Sequence, residues 1–242
     1  MTTVGFLYPG HAAEDDYPRM ARLLGGDVEL VVEHTYGEDL HAVNELLDLG
    51  NPDRLAEGTL RLRQHAPDAV LWACTSGSFV YGLQGATEQA AGLAEAAGVP
   101  ASSTSFAFVS AARALGVSTV AIAASYPAEV AERFKEFLAD AGLEVVGVSS
   151  QGINTAAEVG RLPEDAVLAL AAANDRPDAE ALLVPDTAMR TIEVIEKLEA
   201  ELGKPVLTAN QVTVWEGLRL AGDPRGCQGI GALFRDGTGN RG

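Results

Sequence analysis

Only two cysteines, Cys74 and Cys227, occur in 242 residues, too few and too far apart for a disulfide framework or a thiolate zinc site. Histidine is also scarce: His11, His34, His41 and His65 show no close ligand spacing, so no metal is expected. Basic residues number 17 against 34 acidic ones, a formal charge of −17. Such a surface repels phosphate backbones and anionic membranes, which argues against nucleic acid and membrane partners. No apolar run approaches the roughly 20 residues that a bilayer span requires. The start, Met1 to Pro9, lacks the basic stretch of a secretory signal. A cytoplasmic location is the expectation, with a homo-oligomer left open. What the chain does have is 47% hydrophobic residues and 21% charged ones, ample for one large domain or two small α/β lobes.

Strand and helix signals alternate along the chain, the pattern of parallel sheets covered by helices on both faces. Buried strands are expected over 4–8, 27–33, 69–73 and 100–103, with helices over 15–24, 39–49, 52–65, 87–97 and 107–115. After Gly116 the pattern starts again, with strands over 118–123, 143–148, 181–184 and 205–207. Helices are expected over 128–141, 163–173, 191–202 and 212–220. The segment 230–234 reads as a short strand or anchor, and 236–242 as a frayed tail.

The two halves match as a duplication. Gly98-Val99-Pro100 corresponds to Gly203-Lys204-Pro205, an offset of 205 − 100 = 105. The strand ending at Cys74 corresponds to the one ending at Asp186, an offset of 186 − 74 = 112. The fold expected is therefore α/β, two Rossmann-like lobes with parallel sheets related by a pseudo-twofold axis. Residues 1–115 plus about 222–242 form the first lobe and 116–221 the second. Open parallel sheets bind ligands at the carboxyl ends of their strands, so Cys74 and Asp186 would face each other across a cleft. Pro9, Gly10, Ser125, Tyr126 and Thr187 would line it.

Cys74 stands where a buried strand gives way to Thr75-Ser76-Gly77-Ser78, a sequence suited to a helix N-terminus. Backbone N–H groups there favour an anion and are expected to lower the thiol pKa. Arg190, four residues beyond Asp186, is placed to pair with it. A thiol opposite a second acid-base group suits two reactions without a cofactor: proton movement beside a carboxylate, or addition to an activated double bond. A phosphatase loop is excluded because Val80 stands where its arginine belongs. No serine-hydrolase elbow surrounds Ser76 or Ser78. Gly226, Gly229 and Gly231 lack the dinucleotide spacing.

Cys74-Thr75-Ser76-Gly77-Ser78-Phe79, Tyr126 and the Gly229 to Phe234 segment resemble the maleate cis-trans isomerase and arylmalonate decarboxylase branch of the aspartate/glutamate racemase superfamily. The resemblance implies a cofactor-independent reaction and a dioxyanion pocket at Thr75, Ser76 and Tyr126. It also exposes a departure. Racemases and maleate isomerases carry a cysteine in each lobe, and arylmalonate decarboxylase carries only the second-lobe one. Here Cys74 occupies the first-lobe position and Asp186 replaces the second cysteine.

The leading expectation is an isomerase of a small dicarboxylate, with Cys74 as nucleophile or base and Asp186 as the second catalytic group. The alternatives are an arylmalonate-type decarboxylase in which Cys74 protonates a carbanion, and a two-lobed carboxylate-binding protein without catalysis.

Overall fold

The computed structural model describes residues 1–235. In the first half, β1 (Thr2–Pro9), α1 (Asp16–Leu24), β2 (Val28–Thr35), α2 (Val43–Leu49), α3 (Pro52–Leu62) and β3 (Ala69–Trp72) are followed by α4 (Ser76–Phe79), α5 (Gly82–Ala97), β4 (Ala101–Ser103) and α6 (Thr104–Ala114). The second half runs β5 (Thr119–Ile122), α7 (Ala128–Asp140), β6 (Glu144–Val148), α8 (Ala156–Val159), α9 (Glu164–Ala173), β7 (Ala181–Val184), α10 (Ile195–Leu202), β8 (Val206–Thr208) and α11 (Ala209–Leu220). A short α12 (Ala232–Arg235) closes it. Residues 236–242, read as a frayed tail, lie outside the described residues.

All strands pair in parallel, and the two sheets repeat one order, β2-β1-β3-β4 and β6-β5-β7-β8. The uninterrupted apolar runs have the reason that the sequence suggested: β3 and β7 are buried along their whole length. Their side chains alternate between two apolar layers. Val120, Ile122 and Leu183 join the core shared with the first sheet, whereas Ala121, Leu182 and Val184 pack with Val167, Leu170, Ile195 and Leu198.

The repeat extends to helix starts. Ser103 caps α6 by accepting the Phe106 N–H at 3.4 Å. Thr208, an offset of 208 − 103 = 105, caps α11 in a capping box whose Gln211 Oε1 accepts the Thr208 N–H at 3.2 Å. Both are strand ends that turn directly into helices. The Thr104 and Thr213 hydroxyls meet at 2.7 Å between these two helices. α11 crosses over to the first sheet, where Gly217 makes room: a Cβ there would lie 2.5 Å from Val4 Cγ1. The terminal anchor is helical rather than extended, because the Glu199 carboxylate accepts the Ala232 N–H and pairs with Arg235. Among the described residues no helix is long and apolar enough to cross a membrane.

Candidate active site

Four strands deliver the site. The carboxyl ends of β1, β3, β5 and β7 continue into Pro9-Gly10, Cys74, Ser125-Tyr126 and Asp186-Thr187. Gly10 has φ +63°, a left-handed turn that glycine adopts at little cost. Between these ends lies a cavity of about 250 Å³, lined by Tyr8, Pro9, Gly10, Cys74, Ser76, Asp186 and Thr187 among others. Six of the nine site residues expected from the sequence thus border it. The remaining three, Thr75, Ser125 and Tyr126, sit behind the wall, fully or almost fully buried.

Two of those three have a visible task. Ser125 Oγ donates to Asp186 Oδ2, and the Ala188 N–H donates to Asp186 Oδ1 at 2.9 Å. The Tyr126 hydroxyl donates to Pro185 O at 2.9 Å. Thr75 Oγ1 lies beside the Tyr126 hydroxyl, fully buried and without a well-formed hydrogen bond. An orphaned buried hydroxyl is costly, and this one lies behind the cavity wall, not on it.

Two expectations about charge are corrected. Arg190 does not pair with Asp186. It turns to Asp15 at 2.9 Å and to the Ala12 carbonyl at 2.6 Å, because Asp186 is already held by Ser125 and Ala188. Nor is the Cys74 thiol acidified. Burial above all, with the Asp186 charge added, pushes it up to about 11, against the pull of the Gly77 N–H and the Ser76 hydroxyl. The helix that was to lower it, α4, is a single turn of four residues, too short to sum much of a dipole. The Gly77 N–H donates to Sγ at 3.2 Å. A Cβ there would be tight, 3.0 Å from Trp72 Cζ2 and 3.1 Å from the sulfur. Tyr126 is likewise driven well above the usual phenol range, by burial first and then by Asp186 and Cys74.

Sequence reasoning missed two groups. Tyr8, read only as strand, donates to Thr187 O at 2.8 Å and accepts the Ala13 N–H at 3.0 Å, tying the two halves together beside the cavity. The stretch from Asp39, read as helix, is an irregular lid as far as Ala42, with tight turns in which the Leu40 N–H donates to Glu38 O at 3.0 Å and the Ala42 N–H to Leu40 O at 2.9 Å, and α2 begins only at Val43. The Asp39 carboxylate bonds the Ala156 and Ala157 N–H groups at 2.7 and 3.0 Å, which ties the lid to the second half. A single acidic residue three positions before an apolar run gave no signal of this.

The fold also gathers His11, Glu14 and His34, whose ligand atoms lie within 4.8 Å of one another at the cavity mouth. The two imidazoles stack, 3.9 Å apart with 33° between planes. The His11 Nδ1 is engaged with Glu14 at 3.1 Å and the His34 Nδ1 with the Gly10 carbonyl, and we assign no metal to them.

A family model described as arylmalonate decarboxylase matches residues 41–234. The chain belongs to the arylmalonate decarboxylase family. Arylmalonate decarboxylase of Bordetella bronchiseptica is 32% identical over 177 residues, which cover 72% of this chain and 74% of the relative. Maleate isomerase of Nocardia farcinica is 28% identical over 182 residues, covering 73% and 72%. A liganded arylmalonate decarboxylase bearing a glycine-to-cysteine and a cysteine-to-serine exchange superimposes with a TM-score of 0.87 at 26% identity, over 97% of this chain and 99% of that one. The family accounts for the two-lobed fold found here. It leaves the choice between lyase and isomerase chemistry to the site.

Proposed function

We propose that this family member is a cofactor-independent decarboxylase of a 2-substituted malonate, with Cys74 as the proton donor. One observation carries the reading: the thiol on the cavity wall is buried and faces Asp186 instead of a second cysteine, so it enters the reaction protonated. In the reaction the bond between Cα and one carboxylate breaks and carbon dioxide leaves. The electron pair spreads over Cα and the remaining carboxylate as an enediolate. The Ser76 hydroxyl on the cavity wall and nearby backbone N–H groups are the donors that would stabilise that charge. The S–H proton then passes to Cα, and the thiolate recovers a proton from water.

Asp186 has an acceptor's role in this reading. Both of its oxygens already receive a hydrogen bond, and its charge adds to the burial that raises the thiol. This narrows the second catalytic role expected of Asp186 to that of an acceptor, and it moves the preference from isomerase to decarboxylase. An isomerase has one feature in its favour, that Asp186 is a base within electrostatic reach of the thiol as sulfur adds to a double bond.

A proton NMR time course in D₂O, with substituted malonates and with maleate, separates these. The expected result is a monoacid carrying one deuterium at Cα, slowed at least about 10²-fold in Cys74→Ser, the usual scale for losing an acid catalyst. Maleate converting to fumarate with malonates untouched would assign the isomerase instead. Binding of both without turnover would leave a carboxylate-binding protein.

A further inference from the structure

The turn that carries Asp186 is held by side chains, whereas its repeat equivalent is held mainly by backbone. Beyond Cys74 the chain enters α4, and the Thr75 carbonyl accepts the Ser78 and Phe79 N–H groups, both at 3.1 Å. Ser105 Oγ adds a third donor at 2.8 Å. Beyond Asp186 the next helix is α10, and among the described residues no backbone N–H reaches the Thr187 carbonyl. Two side chains take that place: the Tyr8 hydroxyl donates to it at 2.8 Å and Asn210 Nδ2 at 3.1 Å.

Asn210 stands at the repeat position of Ser105, an offset of 210 − 105 = 105, each the second residue of its helix. The longer amide does more than the hydroxyl. Its second N–H goes to Asp16 Oδ2 at 3.1 Å, and both residues are fully buried. A carbonyl and a carboxylate only accept, so the nitrogen and not the oxygen of the amide lies between them. The Thr191 N–H joins the same Asp16 oxygen at 3.2 Å, which fixes that carboxylate in turn. Asn210 is thus braced from behind by α1 and reaches forward to the turn after β7.

What it holds there has a defined direction. In a planar trans peptide the carbonyl and the N–H point opposite ways, so fixing the Thr187 carbonyl also aims the Ala188 N–H. That N–H is the one that donates to Asp186 Oδ1 at 2.9 Å. We propose that Asn210 is a positioning residue for Asp186: by holding the Thr187–Ala188 peptide it keeps the carboxylate on the cavity wall that it shares with Cys74. Asn210 itself does not line the cavity. Its role rests on the reading that Asp186 acts on the thiol.

The test is a double-mutant cycle, read by iodoacetamide alkylation of Cys74 at pH 8 in Cys227→Ser protein, with each variant first checked for a cooperative thermal melt. With Asn210 intact, Asp186→Asn is expected to speed alkylation about three- to tenfold. In Asn210→Leu protein the same exchange is expected to change it less than about twofold, because the carboxylate no longer keeps its place. Tyr8→Phe removes the other donor to the Thr187 carbonyl and is expected to shrink the effect in the same direction, which keeps the test open if Asn210→Leu does not fold. Loosened packing alone would speed alkylation by one factor with and without the carboxylate, and such additivity would overturn the assignment. No effect of Asp186→Asn in protein that retains Asn210 would remove the role of Asp186 on the thiol and that of Asn210 with it. No substrate enters the measurement, so the malonate reading stands or falls separately, on the NMR time course.

Discussion

Suppression of thiolate at Cys74 can be measured without knowing the substrate. In Cys227→Ser protein, Cys74 is the sole thiol, and its alkylation by iodoacetamide is proportional to the thiolate fraction. An ordinary thiol with a pKa of about 8.5 is roughly one quarter thiolate at pH 8. A thiol near 11 is about one part in 10³ thiolate at that pH, by the same relation. Alkylation is therefore expected to be at least about two hundredfold slower than for a free cysteine, with burial slowing it further. Asp186→Asn removes the like charge while its amide still answers Ser125 and the Ala188 N–H. Losing that charge is expected to speed alkylation about three- to tenfold, the effect of half to one pKa unit. Alkylation of Cys74 at pH 8 as fast as a free thiol would refute the reasoning. The Gly77 and Ser76 donors would then outweigh burial, and Cys74 would be a resident nucleophile suited to addition. No response to Asp186→Asn would show that the two groups do not sense each other, and the proton-donor argument would lose its cause.

Asp16 is fully buried, and burial raises it to about 6 despite hydrogen bonds from Asn210 and the Thr191 N–H to its Oδ2. Because the folded value exceeds the unfolded one of 3.8, the native state binds the extra proton. Its stabilising contribution is full below pH 3.8 and is lost as pH rises through 6. Urea denaturation should therefore show Asp16→Asn flattening the pH dependence across that window, by up to about 3 kcal/mol; an unaltered slope would count against it. Gly50→Ala should cost roughly 1–3 kcal/mol of stability by overpacking, read from the urea midpoint, because its Cβ would lie 2.1 Å from Gly77 O. The same shift would reach the Cys74 turn, so activity should fall with it. Ser125→Ala should reduce turnover more than substrate affinity, since it frees one oxygen of Asp186 without touching the cavity lining; a pure loss of affinity would contradict that.

The alternation of strands and helices, the internal repeat and the places of Cys74 and Asp186 at equivalent strand ends were legible because they depend on short-range signals. A continuous apolar run such as Ala69 to Ala73 has few ways to be buried other than as a central parallel strand. Punctuation such as Gly-x-Pro marks where it ends. The lid was not legible, for an equally physical reason. Asp39 and His41 owe their conformation to Ile153, Asn154, Ala156 and Ala157, more than 110 positions away. Local propensity cannot report a partner at that distance, and helix was the default for the stretch. The direction of the Cys74 shift failed similarly. A strand-to-helix junction is visible in sequence, but whether the helix is long enough to matter and how deeply the sulfur is buried are not.

The duplication makes one further point about chemistry. β3 ends at Trp72 with Cys74 two residues on, and β7 ends at Val184 with Asp186 two residues on. In the decarboxylase reading, these equivalent backbone positions would present opposite faces of one ligand with different groups. With two thiols, either face can take or give a proton, and the site is reversible in direction. With a thiol on one face and an accepting carboxylate on the other, only the Cys74 face can donate, and the carboxylate strengthens that bias by holding the thiol protonated. Protonation of a planar enediolate from a single face gives a single configuration. The deuterated product of a prochiral malonate should consequently be one enantiomer, and a racemic product would mean that a second donor, from water or from Asp186, reaches the other face.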